Sequence, residues 1–333
     1  MPTQQRSPIY KDYQPGSDSS AVAILRAAGA LIFGKTTTTE FTVTNSGPET
    51  TNPHDANRTS SGSSSGSAAA VPDLQIPLSL GAQTGGSIIR LASFTGVFAI
   101  KPTFDAIFIK GQKAFALTFD TFGFFECSVK DLGPLADILA LKDNEPSKEI
   151  PLADFSVAVV RTPINNIKVE QVSFPSEFSD ADKLKRIQKV ITLGKAQKFA
   201  PLEYRPNKTK LAAEIRAIIE NTVNITNEAN TEVTDKYSRM RKSINNLAKR
   251  YTVVLTTSAV DKAPLGLDDM GRVTFNTLWT GFQMPIVNIP AFMGENSMPI
   301  GISLVGPRYR DQQPLMTSKI ISKILMTKSG WKI

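Results

Sequence analysis

"TSSGSSSGSAAAV", residues 59–71, decides how the rest of the chain is read. Eight of its first nine residues are Ser or Gly, the composition of a flexible linker. A linker should separate two bodies, yet this one runs into an alanine-rich segment and soon meets "AQTGGSIIR", residues 82–90. Glycine-rich backbone can equally be shaped for chemistry. Without a Cβ it turns tightly enough to aim several N–H groups at one point.

The 333 residues, 41% of them hydrophobic, suffice for a large core in one domain. Arg26 interrupts the most apolar run, "AVAILRAAGALIF" at 21–33, so neither a membrane span nor a membrane partner is expected. The opening "MPTQQRSPIYKDY" lacks an apolar segment of signal-peptide length, which predicts a cytoplasmic protein. Cys127, the one cysteine, excludes an internal disulfide and reads as a packed thiol. The net charge of +8 raises the question of a polyanion partner. Bases gather between Asp182 and Arg250, mixed with acids on stretches of helical spacing such as Leu184, Ile187 and Ile191. That pattern predicts a solvated helix face and, without aromatic–basic interleaving, no direct nucleic-acid partner.

Along the chain, Ser17 and Asp18 are candidate caps for a helix carrying Val22, Leu25 and Ala28 and closed by Gly29. Strands are predicted at Ala30–Phe33, Val157–Val160, Thr252–Leu255, Ile286–Ile289 and Ile300–Val305. Helical patterns separate several of them, predicting an α/β fold with a mixed sheet covered on both faces. Residues 145–250 read as a helix-rich cap or insertion within a single domain spanning 1–333.

Two motifs mislead. "GALIFGKT", Gly29–Thr36, satisfies the phosphate-loop expression G-x-x-x-x-G-K-T. A phosphate cradle needs a strand before the loop and a helix after it. Here a helix precedes and the β-branched run Thr36–Thr39 follows, so the segment is predicted to be a helix–turn–strand unit. His54 is the only histidine and lies in the turn-forming "TNPHDANRT". A Ser-His-Asp hydrolase would have to use it, and a His-rich metal site cannot be assembled from it. No metal or other cofactor is expected.

Serine can instead be activated by a neutral lysine amine, given backbone N–H groups aimed at the developing oxyanion. "TGGS", Thr84–Ser87, offers a nucleophile preceded by two glycines, and Ser63 lies 24 positions upstream. With that pairing the sequence resembles the amidase signature family of serine hydrolases, an α/β/α sandwich. The resemblance runs through "LRAAGALIFGKTTTTEF" (25–41), "GSSSGSAAA" (62–70), "PLSLGAQTGGSIIRLASFTGVFAIKPT" (77–103), "DTFGFF" (120–125), "SVKDL" (128–132), "FNTLWTGFQMPIVNIP" (275–290) and "MPIGISLVGPRYRD" (298–311). It implies that the Ser-Gly loop belongs to an active site and that Ser63 follows a cis peptide bond. Ser87 would become the acyl-enzyme on an amide substrate, Ser63 would relay its proton, and a lysine would be the final base. The N–H groups of Thr84, Gly85, Gly86 and Ser87 would hold the oxyanion, Ser64 would support them by hydrogen bonding, and Ser67 would cap the alanine-rich helix.

The chain also departs from the family pattern. The family's lysine lies on a strand shortly before a G-M-P-T turn, and this sequence begins Met1-Pro2-Thr3 at that turn. Lys11, Lys35 and Lys101 do not take the lysine's place by position. The expectation is therefore a weak amidase lacking the N-terminal part of the domain, with exposed apolar surface and a bare sheet edge. The alternative is a catalytically silent member, either a truncated product or a binding subunit. Pro72 should kink or shorten the helix near Ser67, Leu91 and Gln83 replace the usual Pro and Asp, and Ser61 and Ser65 replace loop glycines.

Overall fold

The structure, a computed structural model, describes residues 1–44, 49–143, 150–151, 154–159, 168–172, 181–327 and 331. The first helix, α1 (Ser20–Ala27), buries Ala21 and Leu25 and is followed by Gly29 at φ +90°, a conformation that suits glycine. Its N-cap is Ser19, whose hydroxyl makes no capping bond; Ser17 and Asp18 do not cap it. Asp18 instead pairs with Arg26 at 2.9 Å.

A small hairpin, β1 (Thr51–Asn52) and β2 (Asp55–Thr59), leads into α2 (Ser65–Ala70), β3 (Leu78–Gln83), α3 (Ile89–Thr95), β4 (Phe98–Lys101), β5 (Thr121–Glu126) and α4 (Val129–Ile138). There follow β6 (Ser156–Val159), β7 (Lys168–Gln171), α5 (Ala181–Ala196), α6 (Pro201–Asn207), α7 (Ala213–Ile219) and α8 (Asn227–Ala248). The chain closes through β8 (Val253–Thr257), α9 (Thr274–Gly281), β9 (Ile286–Met293), β10 (Pro299–Val305) and α10 (Gln312–Thr327).

Among the described residues, eight strands form one sheet in the order β3-β5-β4-β9-β10-β8-β6-β7. Pairing is antiparallel except where β6 runs parallel to β7 and β8, so the sheet is mixed, as predicted. Alternation along the strands builds two cores. In β4, Phe98 and Ile100 enter one core with residues of α1, α4 and α10, while Ala99 faces the other with residues of α2, α3, α5, α8 and α9. Helices therefore cover both faces. Residues 150–250 contribute β6 and β7 to this sheet, and α5 and α8 pack into the same core as α3. Ile215 of α7 joins a smaller cluster with Phe41, Tyr10 and Leu211.

Four of the five predicted strands match β6, β8, β9 and β10, with Val160 outside the described residues. The prediction at Ala30–Phe33 fails. No strand among the described residues pairs with that stretch, and Leu31 and Phe33 are 88% and 78% exposed. A β-branched or apolar run needs a ladder partner to become a strand, whatever its propensity. Pro72 has its predicted effect: α2 stops at Ala70 after six residues. Ser67 lies inside that helix rather than capping it, because the helix begins at Ser65. Its hydroxyl meets Thr36 Oγ1 at 2.6 Å.

Candidate active site

The TGGS loop joins the end of β3 to the start of α3, and Gln83 shapes it. Buried Gln83 accepts the N–H groups of Ile88 and Ile89 at 2.8 and 2.9 Å, satisfying two donors that the first turn of α3 leaves without helical partners. Its amide nitrogen donates to Thr280 Oγ1 at 2.8 Å, and that hydroxyl donates to Gly85 O at 2.9 Å. The loop is thus tied to α9. A Cβ on Gly86 would lie 2.9 Å from Val273 and 3.3 Å from Asn276, so close packing requires this glycine. Gly85 has no such crowding, its nearest neighbour being Thr277 Oγ1 at 3.8 Å. The Thr84 hydroxyl donates to Asp120, whose second oxygen accepts Phe115 N and Ala116 N at 2.6 and 2.9 Å. Burial raises the Asp120 carboxyl's pKa against the opposing effect of these three bonds.

The Ser-Gly loop is stitched to the TGGS loop from two sides. Ser64 Oγ bonds both the N–H and the carbonyl of Ala82 at 3.3 Å, fixing it to β3 just before the TGGS turn. Arg90 reaches back from α3, donating to Gly62 O at 2.7 Å and to Gly271 O. The Gly62–Ser63 peptide is cis. Ser61 adopts φ +73° and donates to Met270 O at 2.7 Å, while a Cβ on Gly62 would meet Met270 Sδ at 2.2 Å. Thr39 N donates to Ser63 O at 3.3 Å, and Gly66 N to Thr37 O at 2.9 Å.

Ser63 is buried and Ser87 half-buried. Among the described residues, neither hydroxyl has a hydrogen-bond partner, and the N–H groups of Thr84, Gly85, Gly86 and Ser87 find no acceptor. A row of unpaired donors beside a serine hydroxyl suits an anion or a polarised carbonyl. The lysines lie elsewhere. Exposed Lys35 donates to Thr3 Oγ1 at 3.0 Å, and buried Lys101 donates to Pro102 O at 2.5 Å. Lys11 is exposed. His54 is also exposed, with Nε2 2.8 Å from Thr95 O and its ring edge-on to Trp331. No cluster able to hold a metal occurs among the described residues.

Lys101 gives a pH signature. Burial pushes its ammonium down to about 7, partly opposed by Asp311. Between pH 7 and the ordinary lysine range near 10, the unfolded chain binds a proton that the folded chain does not, so this group makes stability rise with pH. Lys101→Met is expected to remove that rise, which urea melts at pH 7 and pH 9.5 would detect; equal slopes in both proteins would refute it.

Arg90, Asp120 and the Met270–Gly271 turn were not among the residues singled out from sequence. The one available signal was a charged residue, Arg90, set inside the apolar stretch "SIIRLAS".

The fold and the two interlocked serine loops define an α/β protein of amidase-signature architecture. A model of the family described as Amidase matches residues 1–250, and the chain belongs to that family. A glutamyl-tRNA(Gln) amidotransferase subunit from Oryza sativa subsp. indica is 43% identical over 152 residues, covering 44% of this chain and 28% of the relative. The corresponding amidotransferase protein of Treponema pallidum subsp. pallidum is 27% identical over 389 residues, 94% of this chain and 77% of that one. Much of the rice relative's length therefore lies outside the match. A crystal structure of an amidase superposes with a TM-score of 0.83 at 22% identity, covering 98% of this chain and 81% of that chain. The 6-aminohexanoate cyclic dimer hydrolase superposes with a TM-score of 0.82 at 18% identity, covering 99% and 83%. At those identities the likeness concerns the fold. No described helix is long and apolar enough to cross a membrane.

Proposed function

We propose that this chain hydrolyses a small carboxylic amide through an acyl-enzyme on Ser87, at a low rate. Ser87 Oγ attacks the amide carbon as its proton passes to Ser63, which hands its own hydroxyl proton on to the departing nitrogen. The carbonyl oxygen, now negative, collects the N–H groups of Thr84, Gly85, Gly86 and Ser87. The carbon–nitrogen bond breaks, ammonia or an amine leaves with a proton, and water hydrolyses the ester. Ser64 holds the two loops in register through Ala82. The observation carrying this reading is the convergence of two serine loops, one ending in unpaired N–H groups. Relatives named as amidotransferase subunits support an amide as the substrate class.

The low rate follows from the lysines. A serine hydroxyl without a base is a poor nucleophile at neutral pH, and none of the described lysines is hydrogen-bonded to Ser63 or Ser87. The same fact favours the second reading, a silent member that keeps the fold as a binding surface. Long incubation with a fluorophosphonate, followed by peptide mass mapping, separates the two. Slow modification confined to Ser87 is expected. Modification at another serine overturns the site, and none at all favours the silent reading.

A further inference from the structure

α8 and the turn that follows it have two electrically different halves. Asn227–Asp235 carries Glu228, Glu232 and Asp235 and no base, whereas Lys236–Arg250 carries six bases and no acid. The helix macrodipole favours bases only within about the last turn. Lys236, Arg239 and Lys242 begin well before it, so the dipole does not account for them.

Arg241 is used internally: Nε donates to Gly281 O at 2.9 Å and the guanidinium lies over Phe119 and Tyr237. Arg239, Lys242, Lys249 and Arg250 are exposed, and among the described residues none of them forms an ion pair. At about 100° per residue, Lys242 and the C-cap Lys249 share a flank with Asn245, Arg239 lies beside Lys242, and Arg250 follows in the turn after the helix. Asn245 Oδ1 accepts Arg308 N at 2.8 Å, docking the loop after β10 against this flank. The Arg308 guanidinium lies 5.0 Å over the ring of Tyr309, which is 46% exposed. Asp235 shares this flank one turn before Arg239, and at the far end Glu170 accepts the Tyr251 hydroxyl beside Arg250. The solvated-face reading explains why the helix bases are exposed. It does not explain why the fold brings a further cation and an aromatic ring to them from a distant segment.

We propose that this surface binds single-stranded nucleic acid, with the basic stripe following the phosphates and Tyr309 offering a face for base stacking. Arg239 to Lys249 spans about 15 Å along the helix, room for several phosphates. An anionic membrane surface fits less well, because among the described residues of α8 no large apolar side chain is exposed to insert.

Fluorescence anisotropy with fluorescein-labelled 20-nucleotide oligo(U) and oligo(dT), in 50 and 200 mM salt, tests the proposal. Affinity should fall with salt. The triple variant Arg239→Glu/Lys242→Glu/Lys249→Glu should bind at least tenfold more weakly, with a log–log salt slope shallower by about two. Tyr309→Ala should cost about tenfold with the slope unchanged. Circular dichroism monitors folding, and the Gln versions of the triple variant serve if charge reversal unfolds the chain. Binding should survive Ser87→Ala, which separates it from the hydrolase reading. Failure to bind either oligonucleotide, equal affinity in the triple variant, or binding to phosphatidylserine vesicles in place of oligonucleotides would overturn it.

Discussion

Ser87→Ala is expected to bring fluorophosphonate modification and amide hydrolysis to background, the largest effect of any single substitution in this chain. The methyl group leaves α3, Gln83 and the N–H row in place, so only the attacking oxygen is lost. Ser63→Ala should also depress the rate strongly, because the proposed relay passes the Ser87 proton through that hydroxyl. If the serines work as one unit, the double variant should be no slower than Ser87→Ala alone. Activity surviving in Ser87→Ala would remove the nucleophile assignment. Independent, multiplying losses would show that Ser63 acts some other way.

Arg90→Met is the second case, and here stability and reactivity should part. Burial pushes the Arg90 guanidinium down to about 10, which corresponds to roughly 3 kcal/mol against the charged form in the folded state. Removing the charge lifts that penalty. It also leaves Gly62 O and Gly271 O without their donor, at about 1–3 kcal/mol each. The two effects offset each other, so the urea midpoint should correspond to a change between about 1 kcal/mol of stabilisation and about 3 kcal/mol of destabilisation. Reactivity should not be spared, because the Gly62 carbonyl is the point at which Arg90 holds the Ser63 loop to α3. Modification at Ser87 should slow by at least tenfold, with Arg90→Lys in between. Unfolding of Arg90→Met would make the guanidinium a stability element, and an unchanged rate would make the clamp irrelevant to the serines.

Much of the architecture was legible in the linear chain because strands and glycine turns are local. β6, β8, β9 and β10 are short apolar or β-branched runs, and that period needs no knowledge of partners. β3, β4 and β5 escaped prediction as strands: "LSLGAQ" and "TFGFFE" contain glycines that lower strand propensity, and their mutual pairing supplies what propensity lacks. The error at Ala30–Phe33 is the converse, strong propensity without a described partner. Ser67 misled for a related reason, since a serine inside a serine-rich helix start cannot be told from its cap until the first turn is seen.

Sequence alone determined the family, the two serine loops and the shortening of α2 by Pro72, because each rests on residue types at short spacing. Tertiary structure decided what holds those loops. Arg90 and Gly271 are 181 residues apart, Gln83 and Thr280 are 197 apart, and Ser61 meets Met270 across 209. Buried polar groups must find partners wherever packing brings them, and no local pattern names a partner that distant.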